Sequence, residues 1–386
     1  MSNLPKGWSL VELNEICNIN MGQSPKSESY NENNIGLPLI QGNADIKNRK
    51  TLPRTYTSDI TKKCKIGDII MTVRAPVGAI AKSYHNACIG RGVCSITPKE
   101  NNDFLYHFLV GYEDKWDKLS QGSTFTAVNG NDIKKIKLPL PPLEEQKKIA
   151  DILSTVDKKI AFVEENINAT EELKKGLMQK LLTEGIGHTE FKNSELGRIP
   201  ESWEVNEFGK ISDILDPHPS HRAPKEDSNG YPFVGIGDIS ENGIINLQSS
   251  RKVSIEDIKE QNSNISINEN DIGFGRVATV GKVIKFRGDY SFPFALSPTM
   301  AVIKVKDIEY EYFYQYLTST MTKKQFKNFT SGSTRISLGI QNLRKLLVLI
   351  PPLEEQKQIA EILSTVDKKL ENLKEKKLFF QELKKG

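Results

Sequence analysis

Apolar residues recur at alternating intervals of four and three in two segments of the chain. The first segment begins near residue 143 and the second near residue 353. This spacing places the apolar side chains along one side of a helix, which is the pattern of a coiled-coil seam. The predicted seam residues are Ile149, Leu153, Val156, Ile160, Val163 and Ile167 in the first segment, and Ile359, Leu363, Val366, Leu370 and Leu373 in the second.

The flanking residues predict where these helices begin and end. Pro142 and Pro352 suit the first helical position, because a backbone N–H is not needed there. The first helix is predicted to run from about Leu143 to about Glu184, where glycines at 185 and 187 end it. After Ile167 its apolar residues change phase, which would locally unwind a supercoil.

Short runs of β-branched residues precede both helices. They are bounded by glycine and aspartate, and this combination predicts short strands and turns. Residues 36–40 match residues 230–234 in this respect. An aromatic-rich helix is predicted after the strands in each half, around residues 104–109 and 312–317. The pattern therefore indicates mixed helix and strand on both sides of the first long helix.

The two helical segments have almost the same sequence. PPLEEQKKIADILSTVDKK begins at Pro141, and PPLEEQKQIAEILSTVDKK begins 210 residues later at Pro351. A Gly-Ser-Thr sequence precedes each, at residues 122–124 and 332–334. A chain with such a long repeat is built from two equivalent units. We therefore predict an α+β fold with two similar α/β domains and a pseudo-two-fold repeat, in which the two long helices pack as an antiparallel coiled coil.

The repeat also predicts domain boundaries. We assign residues 1–142 to the first domain, 143–185 to a central helical region, 186–350 to the second domain and 351–386 to a distal helical region. The distal region stops at Gly386, whereas the first helix continues from the matching position with Leu177 to Leu182. The second helix is about ten residues shorter, so full pairing at that end of the helices stays open.

Positive charge is concentrated in two stretches of the globular domains, although the net charge of the 386 residues is only +4. Residues 47–65 contain seven basic residues and one acid, and residues 312–353 contain six basic residues and no acid. Such stretches suit a polyanion, because each neutralised phosphate releases condensed counterions. A solvated lysine-rich surface explains either stretch equally well.

The sequence contains no recognisable catalytic motif. It has neither a phosphate-binding loop nor the Pro-Pro-aromatic motif of adenine methyltransferases. His218 and His221 could ligate a metal, but the first repeat has no counterpart, so a polar loop is favoured. The four cysteines lack metal-site spacing and predict reduced thiols. With no apolar run long enough for a membrane span and no export signal, we expect a cytoplasmic protein.

The twin PPLEEQ helix openings, each preceded by a Gly-Ser-Thr segment, resemble the specificity subunit of type I restriction–modification systems. The resemblance covers essentially the whole chain. It implies two target-recognition domains, each reading one half of a split site in double-stranded DNA. It also implies a non-catalytic chain without a cofactor of its own. S-adenosylmethionine would be bound by two methyltransferase subunits, and ATP and magnesium would serve the partner subunits, including those for restriction.

Candidate DNA-contacting residues are polar or basic and lie in the predicted loops and the basic stretches. Arg74 and Arg276 fall near each other in the two repeats, one position out of register, and could reach DNA or cap a turn. The first domain offers Gln41, Asn43, Arg49, Lys50, Arg54, Lys62, Lys63, Arg74, Ser123 and Thr124, and the second offers Arg276, Lys282, Arg287, Ser333, Thr334 and Arg335.

Two other functions remain open at this point. A coiled coil carrying duplicated domains could be a scaffold that assembles protein partners without touching DNA, although this leaves the Gly-Ser-Thr and basic segments unexplained. The chain could also be the specificity part of a single-chain restriction enzyme. The absence of a catalytic domain disfavours that interpretation.

Overall fold

The computed structural model describes residues 4–120, 127–218, 224–240, 243–246, 248–286, 290–326, 329 and 337–385. The chain forms two compact units. Unit 1 comprises Met1–Glu164 and Lys376–Gly386, and unit 2 comprises Glu165–Glu375. Each unit therefore contains part of both long helices.

Unit 1 contains thirteen strands and four helices among its described residues, the last helix continuing beyond the unit. The helices are α1 (Leu13–Ile16), α2 (Asn102–Ser120), α3 (Gly130–Lys134) and α4 (Leu143–Leu181). The strands are β1 (Ser9–Glu12), β2 (Cys17–Met21), β3 (Tyr30–Asn31), β4 (Leu37–Ile40), β5 (Ile46–Lys47), β6 (Lys50–Thr51), β7 (Thr55–Thr57), β8 (Lys63–Cys64), β9 (Ile69–Thr72), β10 (Ile80–Lys82), β11 (Ala87–Ile89), β12 (Val93–Pro98) and β13 (Lys137–Leu140).

These strands form two larger sheets and one pair. The six-stranded sheet has the order β2-β12-β9-β10-β6-β5, and the five-stranded sheet has the order β3-β7-β4-β11-β8. All four residues of β9 are buried, so this strand is covered on both faces. Leu105 and Leu109 of α2 pack with it in the main core of the unit. β1 pairs with β13 immediately before α4, which fixes the N-terminal segment beside the start of that helix.

Unit 2 repeats this plan with longer loops. Its helices are α5 (Phe208–Ile211), α6 (Ile255–Asn264), α7 (Tyr310–Thr318), α8 (Thr320–Phe326), α9 (Ile340–Arg344) and most of α10 (Leu353–Lys385). Its strands are β14 (Phe191–Ser194), β15 (Gly197–Pro200), β16 (Glu204–Glu207), β17 (Ser212–Leu215), β18 (Tyr231–Val234), β19 (Arg251–Val253), β20 (Asp271–Gly275), β21 (Val283–Lys285), β22 (Ala295–Leu296), β23 (Met300–Val305) and β24 (Leu347–Ile350).

The sheets of unit 2 match those of unit 1 in their central parts. A four-stranded sheet has the order β17-β23-β20-β21, and a three-stranded sheet has the order β19-β18-β22. β16 pairs with β24 immediately before α10, as β1 pairs with β13 before α4. The core contains fully buried aromatic side chains from both ends of the domain, among them Trp203, Phe208 and Tyr312. The predicted duplication of an α/β domain is confirmed.

A tight loop between neighbouring strands shows how closely the two units correspond. The amide of Gly78 donates to the carbonyl of Thr72, and the amide of Gly281 donates to the carbonyl of Gly275. Both glycines have a positive φ near 90°, which other residues rarely adopt. A Cβ added at either would lie 2.5 Å from an aromatic ring, that of Trp116 in unit 1 and that of Phe326 in unit 2.

The long helices run antiparallel where they pair inside each unit. In unit 1, Asp157 of α4 binds Lys384 of α10 at 2.5 Å, and Glu164 binds Lys377 at 3.0 Å. Residue numbers fall along α10 as they rise along α4. Unit 2 contains the same kind of pair between Lys174 and Asp367 at 2.5 Å. None of the eleven predicted seam residues is exposed.

The ends of the helices differ slightly from the prediction. α4 ends at Leu181 rather than Glu184, and turns follow through residue 187. Gly185 and Gly187 have positive φ values of 66° and 73°, which stop the helix as expected. Helix α4 begins at Leu143, and the carbonyl of Pro142 accepts hydrogen bonds from the next turn, so this proline precedes the first helical residue.

Candidate nucleic-acid interface

Backbone hydrogen bonds bring several loops of unit 1 together beside its two sheets. The amide of Gly90 donates to the carbonyl of Ile40 at 2.8 Å, which joins the loop after β11 to the loop after β4. The amide of Val73 donates to the carbonyl of Gly92, and the amide of Val128 donates to the carbonyl of Val73, both at 2.9 Å. These bonds set the positions of the loops without using their side chains.

We call the loops joined by these backbone hydrogen bonds the loop frame. Four polar side chains project from it. They are Gln23, Gln41, Arg74 and Arg91, and all four are exposed. We call them the unit 1 loop cluster. Within the described part of the chain, neither Arg74 nor Arg91 forms an ion pair, so both guanidinium groups are available to an external ligand. Together the cluster offers amide and guanidinium groups that can form bidentate hydrogen bonds.

Glycines allow the loops to approach this closely. A Cβ added at Gly92 would lie 2.1 Å from the carbonyl oxygen of Gln41. A Cβ added at Gly22 would lie 2.2 Å from the carbonyl oxygen of Gly90. Backbone atoms cannot move aside as a flexible side chain can, so both positions require glycine.

Two predicted residues beside the cluster take part in its support. Asn43 is exposed and begins a short 3-10 turn, Asn43–Asp45, two residues after Gln41. The buried carboxylate of Asp45 accepts a hydrogen bond from the amide of Gln41 at 2.8 Å and binds the Nε of Arg54 at 3.3 Å. The side chain of Arg54 is still 66% exposed, so one face of its guanidinium remains accessible.

Arg49 was predicted to contact DNA, and its side chain also forms contacts within unit 1. It binds the carboxylate of Glu113 and the carbonyl of Ile80, and Glu113 also accepts the amide of Ile80 at 2.7 Å. Burial tends to lower the pKa of Arg49, but the hydrogen bond and charge of Glu113 outweigh it and raise the pKa. Arg49 is thus paired with Glu113 and tied to α2, although its side chain is still 44% exposed, and its contact with DNA stays a prediction.

The remaining predicted lysines of unit 1 are exposed. Lys50 lies over the ring of Tyr84, with its Nζ 4.9 Å from the ring centroid. Lys62 and Lys63 lie where β8 borders β11, and the carbonyl of Lys62 accepts the amide of Ile89, one residue before the Gly90 loop. Lys62 and Lys63 are therefore placed to supply positive charge beside the cluster.

Unit 2 has the same loop frame with different side chains. The amide of Ser297 donates to the carbonyl of Val234, and the amide of Arg276 donates to the carbonyl of Thr299, both at 2.8 Å. These bonds match those of Gly90 and Val73 in unit 1. The positions of Gln41, Arg74 and Arg91 are consequently occupied by Gly235, Val277 and Pro298.

The two predicted cations of unit 2 that the structure describes point inward. Arg276 is only 6% exposed, and its guanidinium binds the carboxylate of Asp216 and the carbonyl of Pro298, each at 2.9 Å. The ammonium group of Lys282 donates to the carbonyls of Ile236 and Ile239 at 2.8 and 2.7 Å. Both predictions are corrected: these cations fasten loops and do not offer their charge to a ligand.

The structure confirms that Arg74 and Arg276 are one position out of register. The loop hydrogen bonds of Gly78 and Gly281 fix the register between the repeats. In that register Arg276 corresponds to the buried Val73, and Arg74 corresponds to Val277. Adjacent positions in the loop face opposite directions, so a one-residue offset exchanges an exposed cation for an interior one.

Six predicted residues lie outside the described residues: Ser123, Thr124, Arg287, Ser333, Thr334 and Arg335. The chain that follows both Gly-Ser-Thr segments is nevertheless anchored at the loop frame. Ala127 forms a bridge with Arg74, and Ser337 forms the equivalent bridge with Val277. The chain therefore re-enters the described structure at the same place in both units.

Sequence reasoning missed Gln23 and Arg91. The signal for Arg91 was its place between Gly90 and Gly92, since paired glycines around one basic residue indicate a tight, exposed turn. Gln23 follows a glycine at the end of a strand and carried no comparable signal.

Metal-ligating clusters are a separate question for the described part of the molecule. No group of three His, Cys, Asp or Glu residues within it is arranged to hold a metal ion. His218 stacks edge-on against Phe233, and burial lowers its pKa. Among the described residues, no helix combines the length and apolar character needed to cross a membrane.

Comparisons with known proteins give one consistent result. A family described as "Type I restriction modification DNA specificity domain" matches residues 5–172 and 200–378. The putative type I restriction enzyme MjaX specificity subunit of Methanocaldococcus jannaschii is 38% identical over 188 residues, covering 47% of this chain and 44% of the relative. The chain thus spans less than half of that relative. The MjaIX specificity subunit of the same organism is 25% identical and is covered to 85%, with 91% of this chain aligned.

Solved structures share the fold. The type I restriction–modification S subunit from M. genitalium superposes with a TM-score of 0.61 at 16% identity, covering all of this chain and 95% of that one. A chain from a study of complex assembly and conformational transition of the type I R-M system gives a TM-score of 0.59 at 19% identity, covering all of this chain and 97% of that one.

Proposed function

The chain belongs to the family of type I restriction–modification DNA specificity proteins, and we propose that it reads a split double-stranded DNA target, with one globular domain for each half-site. The observation that carries this proposal is the loop frame that occurs in both units. In unit 1 it presents two exposed arginines, which form no ion pair within the described residues, and two glutamines, and in unit 2 it presents a different set at matching positions.

The side chains of the unit 1 loop cluster suit base recognition. A guanidinium group can donate two hydrogen bonds to the O6 and N7 of guanine, and a glutamine amide can pair with the N6 and N7 of adenine. Lys62, Lys63 and the exposed face of Arg54 would contact phosphates, which position a protein on DNA without reading its sequence. Rigid loops favour this use, because a base-reading group must be held in place.

The two half-sites would have different sequences. Gly235, Val277 and Pro298 replace the glutamine and both arginines in unit 2, so its frame carries no cation at these positions. An apolar residue such as Val277 can contact the methyl group of thymine, whereas an arginine favours guanine. The whole target would then lack two-fold symmetry, although the protein frame repeats.

Methylation and cleavage would belong to other subunits. We propose that this chain binds two methyltransferase subunits and the restriction subunits, and that S-adenosylmethionine, ATP and magnesium are bound there. This chain would bind no cofactor and would act in the cytoplasm.

Modified-base sequencing tests the proposal. DNA would be sequenced from cells that express the matching methyltransferase with the unmodified chain, without it, or with the Arg74→Ala, Arg91→Ala double variant. We expect a bipartite methylated motif that requires this chain and is lost or relaxed on one side only in the double variant. Methylation at the same motif without the chain would refute the proposal.

A further inference from the structure

Two neighbouring strands of unit 1 bring an exposed arginine to the edge of the unit 1 loop cluster. β7 pairs antiparallel with β4, and Thr55 lies opposite Leu39. Arg54 directly precedes β7, and Gln41 directly follows β4. Because residues just beyond an antiparallel pair stay close together, Arg54 lies beside a member of the cluster.

A buried carboxylate joins these two residues. Oδ2 of Asp45 accepts the amide of Gln41 at 2.8 Å, and Oδ1 accepts the Nε–H of Arg54 at 3.3 Å. The side chain of Asp45 is only 6% exposed. The amide of Leu52 donates to the carbonyl of Asp45 at 2.7 Å, which ties the segment before Arg54 to the same turn. One side chain thus fixes the main chain of a glutamine and the direction of a cation.

Only one edge of the Arg54 guanidinium is used in this way. Within the described part of the chain it binds Asp45 alone, and through Nε only. A guanidinium group has five N–H donors in one rigid plane, so the four on the two terminal nitrogens stay available. The side chain is 66% exposed. An external anion can therefore bind the outer edge of Arg54 while Asp45 holds the inner edge.

Unit 2 builds the same turn without a cation. Oδ2 of Asp238 accepts the amide of Gly235 at 2.9 Å, and Oδ1 accepts the hydroxyl of Ser249 at 2.8 Å. β19 pairs with β18 as β7 pairs with β4, and in that register Ser250 takes the position of Arg54. A neutral hydroxyl therefore satisfies this carboxylate, so the turn itself does not require the exposed guanidinium of unit 1.

We propose that Asp45 is a positioning residue that couples base reading to phosphate contact in unit 1. With one oxygen it holds the main chain of Gln41, and with the other it directs the guanidinium of Arg54 at a phosphate of the bound DNA. This inference rests on the proposed function. It adds a fixed link between two kinds of contact that proteins commonly make to DNA through separate side chains.

The link distinguishes Arg54 from the exposed lysines beside the cluster. The ammonium group of Lys63 is a point charge on a flexible stem, so a phosphate that it binds has no fixed place relative to the bases. A phosphate on Arg54 is held at a set position relative to Gln41, because Asp45 binds both residues. Loss of Arg54 should therefore weaken base discrimination as well as affinity, whereas loss of Lys63 should weaken affinity alone.

Competition binding of the assembled methyltransferase complex to DNA sites with single base changes, at several salt concentrations, tests this link. Gln41→Ala identifies the base pair that Gln41 reads, because discrimination falls there. Arg54→Ser, which copies Ser250 of unit 2, should reduce the salt slope of binding by about one. It should also reduce discrimination at that same base pair by at least about twofold. Lys63→Ser is the matched control and should reduce the salt slope without changing the base preference.

Double variants measure the coupling. The combined effect of Gln41→Ala and Arg54→Ser on affinity should fall short of the product of the single effects by at least about twofold, whereas Gln41→Ala and Lys63→Ser should multiply. Asp45→Asn keeps an acceptor for the amide of Gln41 but turns an N–H toward Nε of Arg54. It should lower discrimination at the base pair of Gln41 and leave the salt slope close to that of the unmodified chain.

The outcomes separate this inference from the proposed function. If Arg54→Ser lowers the salt slope and keeps the full base preference, or leaves the slope unchanged, the inference is overturned. Unaltered discrimination in Gln41→Ala overturns it as well. If the unmodified chain gives the complex no base preference at all, the proposed function fails instead.

Discussion

The carboxylate of Asp157 on α4 binds the ammonium group of Lys384 on α10 at 2.5 Å. Asp367 and Lys174, the residues 210 positions away from them, form the same pair at the same distance in unit 2. The duplicated sequence thus produces duplicated contacts down to single ion pairs. Where the two copies differ, the difference identifies a property that belongs to one unit alone.

One such difference predicts a pH dependence of stability in unit 1. His107 is buried beside Ser154 and Asp157, with its Nδ1 3.8 Å from the carboxylate, and Gln315 takes its place beside Asp367 in unit 2. Burial lowers the pKa of His107 below its ordinary value, although Asp157 opposes the shift. The folded state therefore favours the neutral ring, while the unfolded chain binds a proton below about pH 6.5.

The stability of unit 1 should therefore decrease as the pH falls. The contribution of His107 to stability is complete above the unfolded pKa and decreases as the pH falls below about 6.5. Denaturant titrations at pH 7.5 and 5.5 give the free energy of unfolding at each pH. Its decrease between the two should be smaller in a His107→Gln variant, which copies unit 2, than in the unmodified chain. The other titrating groups are common to both proteins. An equal loss in the two would show that His107 is not responsible.

Arg91→Ala and Arg91→Lys separate base reading from phosphate attraction. Alanine removes both the charge and the paired donors, so we expect weaker binding and relaxed specificity in one half-site. Lysine keeps the charge, and its salt dependence of binding should stay close to that of the unmodified chain, yet discrimination at one base pair should fall by about 1–3 kcal/mol.

Competition binding of the assembled methyltransferase complex to DNA sites with single base changes provides the measurement. It would be made at two salt concentrations, because phosphate contacts set the salt slope. If Arg91→Lys restores both affinity and specificity fully, Arg91 contacts only phosphate.

Arg74→Ala and Arg276→Ala should differ strongly in their effect on stability. Arg276 is buried and pairs with the largely buried carboxylate of Asp216, so breaking this ion pair should cost about 3 kcal/mol. Arg74 is exposed and its removal should change stability by less than about 0.5 kcal/mol. Thermal unfolding compares them directly. Similar melting temperatures for both variants would contradict the buried position of Arg276.

Gly281→Ala should destabilise unit 2. The added methyl group would meet the ring of Phe326, and the positive φ of 86° disfavours any side chain. Gly111→Ala is a matched control, because this glycine lies within α2 and an added Cβ would meet open space. The control should be stabilised by about 0.5–1 kcal/mol. If the Gly281→Ala chain folds with unchanged stability, the loop that contains Gly281 tolerates a side chain and is not held as tightly as the structure indicates.

The features that were predictable from the sequence are local or periodic. The seam from Ile149 to Ile167 repeats every three or four residues, so its partner face and helix length could be inferred from the spacing. The repeat of 210 residues then supplied the second domain and the antiparallel pairing. Nothing in these inferences needed knowledge of which distant residues meet.

The candidate site depended on distant partners, and there the sequence was a weaker guide. Arg276 and Arg74 look alike in sequence, but a carboxylate 60 residues away draws Arg276 inside. Glu113 neutralises Arg49 across 64 residues in the same way. Conversely, Arg91 lies outside both basic stretches and became a candidate only when hydrogen bonds joined its loop to that of Gln41.

The turn that carries Arg91 in unit 1 and Pro298 in unit 2 is held by peptide groups, so it does not depend on which side chain occupies its centre. Gly90-Arg91-Gly92 and Ser297-Pro298-Thr299 occupy the same turn with the same amide bonds to neighbouring loops. Substitutions at the central residue of this turn, Arg91 in unit 1 and Pro298 in unit 2, can therefore accumulate without unfolding the domain. The side chains that would contact DNA can therefore change in each domain separately, so a few single substitutions could produce a new specificity.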